Sequence, residues 1–146
     1  MSLDIGHVDP MPPADKTYLD TPYVCIRWVG GGQWVLAEWK AWANSSEYRA
    51  AHETVLTAFR ENHASRNLID ATKARVVSNE DQHWLIENWI PRATAAGRLW
   101  TAVVLPKSAL ARTISENIDK GPRLNLTTVE YFDTVDEAEA WLSTVG

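Results

Sequence analysis

The chain has 146 residues, of which 45% are apolar and 23% charged, and a net charge of −5; this excludes a fibrous repeat and a wholly disordered polymer. A domain of this length removes roughly 70% of its unfolded surface from water, so a core forms without a disulfide or metal staple. The acidic balance argues against a nucleic-acid groove, although Arg66 to Arg123 holds nine Lys/Arg against six Asp/Glu, a weak anion-facing bias in the middle of the chain.

Residues 1–15 contain three of the seven prolines and no sustained apolar period, so a flexible leader is expected there, followed by a single domain over 16–146. The opening lacks the basic and apolar segments of a secretory signal, and no stretch approaches the roughly 20 apolar residues of a membrane span. A cytoplasmic location without integral membrane association is the expectation.

Thr17 to Asp20, Tyr23 to Val29 and Gln33 to Trp42 are rich in β-branched and aromatic residues. Gly30-Gly31-Gly32 between the last two reads as a hairpin reversal, glycine supplying the positive φ; a phosphate cradle would need a lysine-serine pair that does not follow. Cys25, the single cysteine, lies in this strand pattern and reads as a buried, inert thiol.

Asn44 with Glu47 three residues on forms a capping box, and Tyr48, Ala51, Val55, Leu56 and Phe59 make one apolar stripe of a helix to about Asn62. Arg66 to Asp70 is a short strand and Ala71 to Val77 a polar loop. Ser78 is the N-cap of the next helix, with Asp81 at the reciprocal capping position; it ends at Gly97, and Pro91 predicts a kink near Asn88 to Ile90. Leu99 to Leu105 is a nearly continuous apolar strand, covered on both faces. Lys107 to Asp119 is a weaker helix, Thr127 to Phe132 the last strand, and Thr134 with Glu137 opens a final helix burying Ala138, Trp141 and Leu142. The alternation predicts an α/β fold, a mixed sheet of about five strands with an antiparallel hairpin at the start and parallel strands afterwards, flanked by about four helices.

A set of residues in this frame resembles the SpoIIAA-like (STAS/SEC14-like) family of small bacterial proteins. They are Leu36 to Tyr48, Leu68-Ile69-Asp70, Glu80 to Trp84, Trp89-Ile90-Pro91-Arg92, Ala96-Gly97, Ala102 to Pro106, Tyr131-Phe132-Asp133, Glu137-Ala138 and Trp141-Leu142. The Trp–Trp–Pro–Arg helix is the most specific part, and the likeness covers about Tyr18 to Leu142. It implies a STAS-like sheet, kinship with antagonists of anti-sigma factors and, more distantly, with lipid-binding domains. In the antagonists a serine in an Asp-Ser-Ser/Thr-Gly context is phosphorylated; here the stretch from Asp70 to Ser78 reads DATKARVVS, which lacks that context.

Ser78 therefore carries two readings, a phosphoacceptor stabilised by free N–H groups at a helix start, or an ordinary N-cap. Trp84, Asn88 and Arg92 fall on one helical line, which either lines a cleft for an anionic or aromatic ligand or packs on the sheet with Arg92 bonded to an acid. Asp70, at a strand's C-terminal end where ligands of α/β sheets gather, joins Lys73 and Arg75 as a candidate surface for a ligand or partner. Trp28, Trp34, Trp39 and Trp42 belong to one hairpin, Trp39 opposite in direction to Trp34 and Trp42, so one indole face is a candidate partner or homodimer contact.

His52 and His63 share a helix but lie roughly 16 Å apart, too far for one metal ion. With no nucleophile–base pair, metal ligand set or phosphate loop, the sequence predicts a non-enzymatic module without cofactor, binding a protein partner or small ligand. The second reading is a carrier of a lipid or hydrophobic ligand, on the SEC14-like kinship and the eight tryptophans.

Overall fold

The computed structural model describes residues 14–106, 112–113 and 127–146. Its centre is a six-stranded sheet in the order β1-β2-β3-β4-β5-β6: β1 Lys16–Asp20, β2 Val24–Val29, β3 Trp34–Trp39, β4 Arg66–Asp70, β5 Trp100–Val104 and β6 Thr128–Phe132. β1, β2 and β3 pair antiparallel, and β3 to β6 pair parallel. The mixed sheet expected from the sequence is present with six strands rather than about five, because Lys16–Asp20 is a separate strand turned back through Thr21, whose hydroxyl accepts from the Tyr23 and Val24 N–H groups.

Three helices flank the sheet among the described residues. α1, Ser45–Asn62, begins at the expected capping box: Asn44 Oδ1 accepts from Glu47 N–H at 2.8 Å, and Glu47 Oε1 accepts from Asn44 N–H at 3.0 Å. It closes with His63 in the left-handed region at φ 48° and Ala64 N–H reaching Phe59 carbonyl at 3.0 Å, a Schellman ending with histidine where glycine is usual. The fourth helix, expected over Lys107 to Asp119, lies outside the described residues apart from helical Arg112 and Thr113. The leader expected over 1–15 lies outside them too, except at its end, where Asp15 bonds Arg27 and accepts from Gly30 N–H.

α2 is continuous in three segments, Asn79–Trp84, Leu85–Trp89 in π geometry and Ile90–Ala95. The kink expected from Pro91 takes this form: Ile90 N–H bonds five residues back to Leu85 carbonyl, and Pro91, which has no N–H to offer, starts the third segment. Ser78 caps the helix as expected, accepting from Asp81 N–H at 3.2 Å, but the Asp81 carboxylate does not return to the Ser78 backbone. It turns to α1 instead. At the far end Gly97 N–H bonds Thr94 carbonyl and Arg98 N–H bonds Ala93 carbonyl, each at 3.0 Å, completing a Schellman motif.

The alternation of β3 divides the core. Val35 and Ala37 join Val24, Ile26 and Trp28 beneath α1 and α2, with Val55, Phe59, Leu85, Trp89 and Ala93. Trp34 faces the other side with Leu68, Ala102 and Val104 beneath α3, Val135–Leu142. Burying a side chain such as Phe59 stabilises by roughly 1.5–3 kcal/mol, and Arg66 ties α3 to the sheet by donating to the Leu142 carbonyl at 3.0 Å.

Two local expectations in the tryptophan hairpin are corrected. Positive φ in its turn falls on Gln33, at 61°, and on none of the three glycines; Gly32 is needed for space, since a Cβ there would meet the Trp34 ring at 2.4 Å. Trp39 does oppose Trp34, but the strand ends at Trp39, so Trp42 leaves the alternation and stands 64% exposed.

Candidate functional site

β3, β4 and β5 end side by side at Trp39, Asp70 and Val104, and near those ends a gap lies between α1 and α2. The gap is a cavity of about 260 Å³, in the place where open α/β sheets hold ligands. Its floor is Ile69 and Val103; its walls are Trp39, Tyr48 and His52 on one side and Leu85 and Trp89 on the other; the loop before α2 closes it with Ala71, Val76 and Val77. Trp42 and Val76, two of the exposed large apolar side chains, flank it.

The aromatic wall is built from rings at helical and strand spacing. Tyr48 and His52, one turn apart on α1, lie 4.4 Å centroid to centroid, and Trp39 stacks on both at 5.4 and 5.5 Å. Trp89 meets His52 edge-on at 4.8 Å and donates its indole N–H to the His52 carbonyl at 2.7 Å. His52 Nδ1 lies 2.8 Å from the Tyr48 carbonyl, an acceptor, so Nδ1 carries the proton. Burial lowers the His52 pKa from 6.5 to about 4, so the ring is neutral near pH 7 with Nε2 as an acceptor. Burial also pushes the Tyr48 phenol up, with the Asp81 charge adding to the effect.

Asp81 is the anionic group of the site, only 5% exposed. Its Oδ1 accepts from Ser45 Oγ at 2.6 Å and from Arg49 Nε at 3.0 Å. Burial raises its pKa, but the bonds from Ser45, Arg49 and Ser78 outweigh that and hold the carboxyl below its ordinary value. Arg98, also 5% exposed, donates to Asn67 Oδ1 at 3.0 Å with its guanidinium 5.2 Å from the Trp89 ring centroid. Asn67 in turn donates to the Val35 carbonyl.

Of the candidates read from the sequence, the structure brings Ser78 and Arg75 to this cavity. Lys73 and Arg75 border a second, shallower cleft with Lys40 and Thr72. Asp70 caps its own loop, accepting from Thr72 N–H and Oγ1 at 3.1 and 2.7 Å. Trp84 stands edge-on to His52 at 6.0 Å with the Arg49 guanidinium 5.3 Å from its ring. Arg92 bonds Asn88 as the one-line reading anticipates, but its two Nη atoms lie on Glu53 of α1 at 2.7 and 2.6 Å. Trp84, Asn88 and Arg92 thus form an outer seam between α1 and α2, not the cavity wall.

Sequence reasoning missed Tyr48, His52, Asp81 and Arg98 as a group. The available signal was a histidine four residues after a core tyrosine, on the stripe that α1 buries. Cys25 is buried as expected, and burial pushes its thiol up, away from reactivity. Among the described residues no three His, Cys, Asp or Glu side chains converge as metal ligands would, and no helix is long and apolar enough to cross a membrane. No family model matches the chain, and no curated protein matches it.

Proposed function

We propose that this domain is a non-enzymatic binding module whose ligand is a compact, ring-bearing small molecule held in the cavity at the ends of β3, β4 and β5. The observation that carries the reading is the wall of Trp39, Tyr48, His52 and Trp89 around a space of about 260 Å³. That volume lies just under the roughly 300–1,000 Å³ of cavities that enclose drug-sized ligands, and aromatic walls with a few fixed polar groups are what such sites use. A compact ligand suits it better than an acyl chain, so the carrier reading is the weaker one. The likeness to SpoIIAA-like proteins belongs to the same proposal, supported by the antiparallel-then-parallel sheet; a cytoplasmic address is proposed with it, from the sequence.

A thermal-shift and fluorescence screen with single-ring compounds tests it. Binders are expected to quench Trp39 or Trp89 and to lose their effect when Ala74→Phe fills the cavity from its rim. Binding that is indifferent to Ala74→Phe counts against this cavity as the site.

A further inference from the structure

Two polar atoms of the cavity wall, Tyr48 Oη and His52 Nε2, lack a hydrogen-bond partner among the described residues, the other ring nitrogen of His52 being the one on the Tyr48 carbonyl. A third, Asp81 Oδ2, is left by Ser45 and Arg49, whose bonds both fall on Oδ1. None of the three is sealed off, because the fully enclosed side-chain atoms without partners are Trp34 Nε1 and Thr101 Oγ1. All three belong to residues that line the cavity, and Tyr48 and Asp81 are more than nine-tenths buried, at 9% and 5% exposure. Such groups are normally satisfied, by water or by what binds.

Their chemistry selects the partner. With its proton on Nδ1, His52 presents a lone pair at Nε2, a carboxylate oxygen only accepts, and a phenol accepts or donates. Two obligate acceptors and one adaptable group call for a ligand rich in N–H donors. An incoming carboxylate or phosphate would face the Asp81 charge with no donor from His52. Of the cations nearby, Arg49 is paired with Asp81, Arg75 is exposed to water at the rim, where screening is strong, and Arg98 keeps its charge but has its Nε on the neutral Asn67 amide and its guanidinium near the Trp89 ring. The Trp89 indole of the wall already holds a guanidinium, that of Arg98, as Trp84 on the outer seam holds that of Arg49, the electrostatic preference of an aromatic face for a cation.

Resting on the reading of this cavity as a ligand site, we infer that its occupant is a compact aromatic cation of the amidine or amine class. Its N–H groups are shared among Asp81 Oδ2, His52 Nε2 and Tyr48 Oη, and its ring lies against Trp39 and Trp89.

Benzamidine, benzamide and benzoate share one ring and one planar head but differ in charge and donors, so protein-observed NMR titrations of the whole chain with each at neutral pH decide the matter. Benzamidine is expected to bind with shifts at the Trp39 and Trp89 indoles, and benzoate about tenfold or more weakly. Tyr48→Phe, which removes no internal bond, should weaken benzamidine by roughly three- to tenfold while leaving the fold intact; Asp81→Asn should shrink the preference for benzamidine over benzoate. Benzoate binding as tightly as benzamidine overturns the inference but leaves the cavity as a ligand site, as does benzamidine binding unchanged by Tyr48→Phe. Failure of all three rings to bind overturns both.

Discussion

Arg92 and Glu53 meet head to head across the seam between α2 and α1, both Nη atoms on the carboxylate, while Nε and one Nη also reach Asn88 Oδ1. The Arg92 bond holds the Glu53 carboxyl below its ordinary pKa. Both side chains are more than a third exposed, at 38% and 48%, so screening limits the gain despite the two-pronged geometry. Arg92→Ala should lower stability by about 1 kcal/mol or less in urea unfolding, and should leave ligand binding in the cavity unchanged. A loss of binding without loss of stability would put Arg92 back into the site.

His52 predicts a pH dependence of definite sign. Its folded pKa of about 4 lies below the unfolded value of 6.5, so between those values the unfolded chain takes the proton that the native state refuses. Stability is therefore full above about pH 6.5 and falls as pH drops toward 4, by up to roughly 3 kcal/mol. Glu53 and Asp81, whose pKa values are depressed, lose their contributions only at lower pH, as it falls through their own folded values. Urea midpoints measured against pH should show the first slope in the wild type and a flatter one in His52→Phe, which keeps a ring in the wall. An equal slope in both would mean that His52 is not held neutral.

What the sequence made legible was whatever depends on period, caps and punctuation. The capping box at Asn44, the Ser78 cap, the stop at Gly97 and the order of antiparallel and parallel pairing all follow from local signals, and all are present. The cavity was not legible because it is made by elements distant in sequence: Tyr48 to Asp81 spans 33 positions, and Asn67 to Arg98 spans 31. Asp81 illustrates the difficulty. Its spacing from Ser78 fits a reciprocal cap, but Ser45 and Arg49 on a neighbouring helix offer its carboxylate better partners, and tertiary contact prevails over the local motif. For the line through Trp84, Asn88 and Arg92 the sequence left two readings open, and the one with Arg92 bonded to an acid is present, the acid being Glu53 of α1, 39 positions away and beyond any local signal.

Gly97 carries the turn from α2 into β5 at φ 106°. A side chain there is disfavoured by the backbone itself, and its Cβ would stand 3.0 Å from the Ala64 carbonyl oxygen. Gly97→Ala should therefore cost on the order of 1–3 kcal/mol, read as a lowered urea midpoint with an unchanged slope. An unaffected midpoint would show that the backbone relaxes without disturbing the Schellman bonds.

Gly32 and Trp34 give a sharper test, because they are coupled through space rather than through φ. The Trp34 benzo ring occupies the position beside Gly32 where a Cβ would lie, with Cη2 and Cζ3 at 2.4 Å and Cε3 at 2.6 Å. Gly32→Ala must displace an indole that is packed with Leu68, Ala102 and Leu142, and overpacking of this kind costs roughly 1–3 kcal/mol. Trp34→Phe alone removes buried area but also removes an indole N–H that has no partner among the described residues, so its two effects oppose each other. In the double variant the smaller ring leaves room for the new methyl group. The Gly32→Ala penalty should therefore be smaller in the Trp34→Phe background, giving a coupling energy of about 1 kcal/mol in a double-mutant cycle of urea unfolding. Strict additivity would mean that the alanine methyl finds space without moving the ring.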